Sequence, residues 1–386
     1  MLRSENSGVG NNLGEEYEKG PISNLYDYNE ETQGEIRVID GQTLTELITS
    51  EKGDITLATM AYRPYDYTGA ALKIHEHLCN QANLGKEVNV YVDAGYTKYS
   101  PTKDLPILMG LLFYPHETLS KQRKITQAIN ELLKSGVEVT YLRDFLTRSI
   151  FPLCNVDHRK IALSNNKAVI FGFNIDSRLD PKDTIDSGVV MSNPKINWWL
   201  REQIENPNDN DVMSAGHLSL ISRETRVKDS EAERIILDSI RGAVSNITFF
   251  GQFIPDGKVL EEMVEAMKRG VEVTIVTNSP YSTSQILYRG IRKIGIKRLK
   301  KRFSKEGLKI LVPKDPEIFM HLKALITDPN NPFSCTAITG TDNMTNTLLQ
   351  KLGTREIIVA TKDPHLVGTI FNGINNITEK YGFEPV

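Results

Sequence analysis

The chain is written twice. In the first half, residues 54–60 alternate as a strand, and 68–84 carry Ala71, Leu72, Ile74, Leu78 and Ala82 at helical spacing. Gly85 stops that helix, and 88–93 is the next alternating strand. Residues 132–141 then repeat the pattern of helix end, Gly136 and strand. The second half starts again from the same plan. Residues 245–250 read as the strand, and 256–269 as the helix with Val259, Leu260, Met263, Val264 and Met267 apolar. Gly270 leads into a strand over 271–276, and 307–312 repeats 136–142. Strands alternating with helices in two matched copies predict an α/β fold of two pseudo-symmetric lobes, each a mixed β-sheet flanked by helices.

Three segments follow. Residues 1–34 are rich in Gly, Asn, Glu and Ser, lack the apolar run of a signal peptide, and read as a mobile arm. The first lobe spans 35–206 and the second 207–386, joined in a polar, turn-rich run that begins at Asn206 and Pro207. No stretch approaches the ~18 apolar residues of a membrane span. With 46 Lys+Arg against 49 Asp+Glu, the charge balance disfavours a dedicated nucleic-acid binder and leaves room for a local basic groove. Three cysteines, Cys79, Cys154 and Cys335, are too few for a disulfide framework and suit a reducing compartment. Cys154 reads as a small buried residue. The expected location is cytoplasmic or at a membrane periphery, with secretion lacking a signal left open.

Each copy delivers the chain to a His-x-Lys: His158-Arg159-Lys160 and His321-Leu322-Lys323. In the second, His321, Lys323 and Leu325 would share one strand face, which sets imidazole and ammonium about 7 Å apart. One such motif is an ordinary strand with two polar residues; two at equivalent positions suggest phosphate chemistry, with Lys holding an oxyanion and His attacking phosphorus or moving a proton. A Gly-containing turn ending in Asn follows each, at Gly172–Asn174 and Gly340–Asn343, 16 and 22 positions after the histidines, the run from Pro329 to Pro332 accounting for the extra length. A carboxylate then opens an apolar strand in both copies: Asp186, 12 positions after Asn174, and Glu356, 13 after Asn343. Such acids can fix an imidazole tautomer through Nδ1. His75 and His77 read as residues on a helix surface. No ligand cluster calls for a metal, and no cofactor is expected.

Paired His-x-Lys motifs of this kind resemble the phospholipase D superfamily, and the surrounding chain, from about Gly53 onward, resembles its bacterial cardiolipin-synthase-like branch. The second copy carries the full pattern in His321, Lys323, Asp328, Gly340, Thr341 and Asn343, with Thr in the Ser position. The first departs from it: Asn165 stands where the Asp belongs, and Phe171 precedes Gly172 in place of a Gly. The resemblance implies an active site at the lobe interface. It implies acid–histidine partnerships that cross the copies, Glu356 with His158 and Asp186 with His321. His158 would be the nucleophile and His321 the acid/base, with a phosphoryl-histidine between two half-reactions; the near-equivalence of the copies leaves the reverse open. Lys160, Lys323, Asn174 and Asn343 would hold the phosphate, Thr341, Gly340 and Gly172 would line the substrate, and Asp328 and Asn165 would support from behind.

The implied substrate is a phospholipid, hydrolysed or used for phosphatidyl transfer. A nuclease with the same two-histidine site is the alternative, and a weakly active lipid-binding protein, suggested by Asn165 and Phe171, is the second. The cations Lys293, Lys297, Arg298, Lys300, Lys301, Arg302 and Lys305 would serve nucleic acid or anionic lipid, or form a solvated helix face. Nucleic acid is the lesser expectation as partner. Residues 105–115 form an apolar run absent from the second copy, which reads either as buried core or as a peripheral membrane contact.

Overall fold

A computed structural model describes residues 36–64, 69–93, 119–142, 156–165, 167–176, 179, 184–208, 210–227, 229–281, 286–303, 307–345 and 353–386. The N-terminal arm, the 105–115 run and Cys154 lie outside the described residues. The first half runs β1 (Ile36–Ile39), α1 (Gly41–Ser50), β2 (Ile55–Thr59), α2 (Gly69–Asn83), β3 (Val88–Val92), α3 (Leu119–Lys134), β4 (Glu138–Tyr141), β5 (Val156–Asp157), β6 (Ile161–Leu163), β7 (Ala168–Phe171), β8 (Thr184–Ile185), β9 (Gly188–Met191) and α4 (Pro194–Glu205). The second runs β10 (Val212–Ala215), β11 (Leu218–Glu224), α5 (Glu231–Gly242), β12 (Asn246–Gly251), α6 (Gly257–Lys268), β13 (Glu272–Thr277), α7 (Ile286–Phe303), β14 (Leu308–Pro313), β15 (Phe319–Met320), β16 (Ala324–Thr327), β17 (Thr336–Gly340), β18 (Thr354–Thr361), α8 (Pro364–Glu379) and β19 (Phe383–Pro385).

The two sheets have the same topology. The first is ordered β1-β9-β7-β6-β2-β3-β4; the second contains β11-β18-β17-β16-β12-β13-β14, widened by β10 and β19 at its edges. In each, the three strands joined by crossover helices are parallel (β2-β3-β4 and β12-β13-β14), and the rest pair antiparallel. Mixed sheets flanked by helices are what the duplicated pattern predicts. The glycines that punctuate the repeat act as matched stops: Gly85, Gly136, Gly270 and Gly307 have φ of +78°, +88°, +91° and +84°. This left-handed conformation is cheap only without a Cβ. Helix starts are capped from the sequence as well, by Asp40 on Thr43 N (2.9 Å), Ser230 on Glu233 N (3.2 Å) and Asp363 on Leu366 N (2.9 Å).

Each sheet buries one face under its own crossover helices, in cores built around Leu57, Ile74 and Val90 in the first half and Phe249, Met263 and Ile275 in the second. The opposite faces are shared. One cluster combines Ile161 and Ile170 of the first sheet, Trp199 of α4, and Ile357 and Val359 of β18. Another combines Ile185 of β8 with Met320, Leu322, Ile370 and Ile374. The halves therefore meet through continuous apolar core. Full burial of each large side chain contributes roughly 1.5–3 kcal/mol.

Two short ladders also cross between the halves. β5 pairs in parallel with β18, setting Asp157 beside Arg355, and β15 pairs in parallel with β8, setting Met320 beside Ile185. These ladders correct the expectation of one continuous strand through His321 and Leu325. The strand breaks after Met320, because β15 belongs to a ladder with the other half while β16 belongs to its own sheet. The His-x-Lys residues occupy the step between the two.

Candidate active site

The crossing ladders build the site. The residue after Asp157 is His158 and the residue after Arg355 is Glu356, so a parallel register carries them to the same place. His158 N donates to Arg355 O (3.0 Å), and Nδ1 of the ring lies 2.8 Å from Glu356 Oε2. The other ladder does the same: His321 N donates to Ile185 O (2.8 Å), and His321 Nδ1 lies 2.6 Å from Asp186 Oδ2. Both carboxylates thus reach a histidine of the opposite half. The residues preceding the histidines are held by a matched pair that the sequence reading missed. Asp93, directly after β3, accepts from Asp157 N (2.9 Å), while Asn278, directly after β13, receives Met320 N and donates to Met320 O, both at 2.7 Å. Their signal was a polar residue ending the second strand of each repeat.

Lys160 and Lys323 are buried, and each ammonium caps the carbonyl of its own histidine, at 2.8 Å and 2.5 Å. Lys323 Nζ also sits 3.2 Å from Nδ1 and 3.3 Å from Nε2 of His321. Both lysines act on one centre: after burial itself, their charges are the next causes holding His158 well below the usual imidazole range. Burial also pushes Glu356 up to about 7, against the pull of Lys160 and the hydrogen bond from Thr341. Burial thus opposes the charged form of both members of the pair.

The tautomer of His158 follows from its second partner. Nδ1 is 3.1 Å from the carbonyl oxygen of Thr341, which can only accept, so Nδ1 carries the hydrogen. Nε2 is then left with the lone pair, on a side chain 11% exposed. The Thr341 hydroxyl donates to Glu356 Oε2 (2.6 Å) and accepts from Ile357 N (3.0 Å), so it is bound to the acid that partners His158.

At both expected glycines the neighbouring atoms leave no room for a Cβ. A Cβ on Gly172 would fall 2.0 Å from Asp186 Oδ1, so only glycine lets this acid reach His321. Gly340 has φ +141°, and a Cβ there would meet Ile357 O at 2.2 Å. Phe171, standing where the first copy lacks a glycine, is buried in that half's core.

Asn174 is fully buried and, among the described residues, neither its Oδ1 nor its Nδ2 has a partner; Asn343 Oδ1 is likewise buried and unpaired among them. An unsatisfied buried amide costs roughly 1–3 kcal/mol, so these groups are available to a water or a ligand. Asp342, between Thr341 and Asn343, receives Met344 N at 2.7 Å and pairs with the guanidinium of Arg223.

Asp328 and Asn165 are not behind the histidines. They lie past the far ends of β16 and β6. Asp328 accepts from Val244 N, Ser245 N, Ser245 Oγ and Asn246 N at 2.6–2.8 Å, stapling the α5–β12 turn. Asn165 lies at the matching turn, against Gly53, and is exposed. His75 is not on the surface: it is buried, with Nδ1 2.9 Å from Tyr62 Oη and Nε2 3.1 Å from Glu131 Oε2. On α7, Lys293, Lys297, Arg298, Lys300 and Lys301 are exposed, opposite the core residues Ile296, Leu299 and Phe303. Among the described residues, no helix is long and apolar enough to cross a membrane, and no group of three His, Cys, Asp or Glu side chains could hold a metal.

Residues 236–377 match the family described as "Cardiolipin synthase, PLD-like domain". No curated protein matches the sequence. Among solved structures, phosphatidylserine synthase of Haemophilus influenzae Rd KW20 aligns at TM-score 0.68 and 11% identity, over 95% of this chain and 90% of that one. Polyphosphate kinase of Porphyromonas gingivalis aligns at TM-score 0.55 and 12% identity, over 89% of this chain and 50% of that one. Nuc, a phospholipase D family member of Salmonella typhimurium, aligns at TM-score 0.33 and 19% identity, over 44% of this chain and 98% of that one. The first two likenesses concern the fold.

Proposed function

We propose that this chain, whose residues 236–377 match a phospholipase D-like family, is a member of the phospholipase D superfamily and a phosphodiesterase acting on phospholipid through a phosphoryl-histidine. The observation that carries this reading is the pair of His–carboxylate contacts exchanged between the halves, Glu356 to His158 and Asp186 to His321. The description of the matching family and the phosphatidylserine synthase fold favour a lipid substrate over nucleic acid.

Substrate phosphate enters as a monoanion. Lys160 and Lys323 offset its charge, and the amides of Asn174 and Asn343 complete its hydrogen bonding. His158 is the better nucleophile because its Nδ1–H is fixed, its burial keeps it neutral, and Nε2 holds a lone pair. Nε2 bonds to phosphorus as the bond to the leaving alkoxide breaks, and protonated His321, held by Asp186, gives that alkoxide its proton. His321 then takes a proton from water or an acceptor alcohol. The new oxygen–phosphorus bond forms, the phosphorus–nitrogen bond breaks, and His158 is restored. Hydrolysis and phosphatidyl transfer differ only in that acceptor.

The test sets vesicles of differing head group beside plasmid DNA in one assay, with radiolabelled phosphate. Lipid turnover, with an acid-labile label trapped on wild type and absent from His158→Ala, is expected. Nicking of DNA with every lipid untouched would replace the lipid reading with the nuclease.

A further inference from the structure

Among the described residues none holds the amide of Asn174 by a hydrogen bond, yet the proposed chemistry requires it aimed at phosphate. Its direction must therefore be set by its backbone, which is clamped one residue later. Ile175 N donates to Ala61 O (3.1 Å), Arg63 N donates to Ile175 O (2.7 Å), and Tyr62 forms the bridge with Ile175. Residues 61–63 follow β2 without a sheet of their own. Thr59 Oγ1 donates to Ala61 O (3.1 Å), and the fully buried Tyr62 side chain adds a longer-range tie, its Oη 2.9 Å from Nδ1 of His75 on α2. His75 is tied in turn to Glu131 on α3, and Gln127 holds the second oxygen of Glu131 at 2.9 Å. The line runs from the two crossover helices through one imidazole and one phenol to the backbone beside Asn174.

No such brace is needed in the second half. There Asp342, adjacent to Asn343, is held by Arg223 and caps Met344 N, where the chain turns through φ +51°. In the first half the residue at the Asp342 position is Phe173, which offers no polar grip. The two phosphate-facing asparagines are thus aimed by different devices, one a local ion pair and one a remote hydrogen-bond chain.

We propose that Tyr62, His75 and Glu131 are positioning residues for Asn174, tying its reach toward phosphate to the packing of α2 against α3. The proposal rests on the phosphodiesterase reading for its kinetic test and not for its structural one. The kinetic test is a double-mutant cycle on a soluble phosphodiester, bis(p-nitrophenyl) phosphate. Tyr62→Phe removes one oxygen and should lower kcat about tenfold with KM little changed, because a misaimed oxyanion donor is felt most in the transition state. In the Asn174→Ala background the same change should lower kcat less than about twofold. Equal losses in both backgrounds would overturn the proposal, since a merely structural tyrosine gives additive effects.

Should Tyr62→Phe melt early, Glu131→Ala takes its place. That residue lies partly exposed on α3 and should lower kcat several-fold by the same route, with the same non-additivity; an unchanged kcat would count against the chain of contacts. The structural arm needs no turnover. The Asn174 side-chain amide, assigned in nitrogen-15 spectra by its loss in Asn174→Ala, should shift or broaden in Tyr62→Phe. An enzyme inert on every phosphodiester but with that resonance displaced would sink the function reading and keep this one. A resonance left in place would sink this one whatever the activity.

Discussion

Asp328→Asn tests whether the acid that completes the second His-x-Lys motif belongs to the chemistry or to the scaffold. The structure assigns it to the scaffold. Its carboxylate is fully buried and accepts four hydrogen bonds from the turn over residues 244–246, three of them from backbone amides. Burial pushes its pKa up, but the hydrogen bonds from Ser245, Asn246 and Val244 outweigh that and bring it from 3.8 to about 2. By linkage, a depression of that size is worth about 2 kcal/mol. The Asn variant adds a mismatch, since its NH2 group would face either the Val244 amide or the Ser245–Asn246 donors; an unsatisfied buried donor costs roughly 1–3 kcal/mol. A loss of about 2–4 kcal/mol is expected.

Unfolding entropy near ~2.1 cal/mol/K per residue makes the slope for 386 residues about 0.8 kcal/mol/K, so Tm should fall by about 3–5 °C. The sign of the pH dependence is also set. The folded value lies below the unfolded one, so the carboxylate's contribution is full above the ordinary 3.8 and fades as pH falls through about 2. The gap between wild type and variant should therefore be widest at neutral pH and close in acid. Paired melting curves at pH 7 and pH 3, with kcat on a soluble phosphodiester, make the assay. A Tm unchanged at pH 7 together with a kcat loss beyond about tenfold would refute this reasoning and return Asp328 to the chemistry.

Other expectations follow from the same contacts. His158→Ala and His321→Ala should each abolish turnover almost wholly, since two residues acting as one unit are not additive; near wild-type kcat in either folded variant would end the two-histidine mechanism. Gly172→Ala, whose Cβ would fall 2.0 Å from Asp186 Oδ1, should push that acid off His321 and cost at least about a hundredfold in kcat; a neutral result would detach Asp186 from function. Glu356 is pushed up to about 7, so the His158–Glu356 pair should give the pH–rate profile an acid limb near neutrality, with rate rising as pH rises through it. Glu356→Gln should lower the plateau and move that limb to lower pH, because the remaining imidazole is held down by burial and two lysines; a limb that stays put would assign it to another group. Asn165→Asp should change kcat less than about tenfold, because its turn is at the far end of β6 from His158; a gain of several orders of magnitude would mark a decayed catalytic position.

Much of this protein is legible in its residues alone. The repeated order of strand, helix and glycine determines two α/β lobes, because apolar periodicity and the cost of a left-handed turn act within a few residues of the chain. The same locality exposes the twin His-x-Lys motifs and the acids that follow them at matched distances. What no local rule supplies is which strand the residue before each histidine pairs with. Parallel pairing of β5 with β18 and β15 with β8 joins residues about 135 to 198 positions apart, and only that register brings Glu356 to His158 and Asp186 to His321. Tertiary packing also reassigned residues whose type was informative but whose neighbours were hidden. Asp328 reads as part of the motif yet faces a turn, Thr341 offers a hydroxyl yet spends it on Glu356, and His75 looks like a surface residue of α2 until α3 and Tyr62 close over it. In each case the side chain's chemistry is written in the sequence, while its use depends on which distant donor or acceptor the fold sets within about 3 Å.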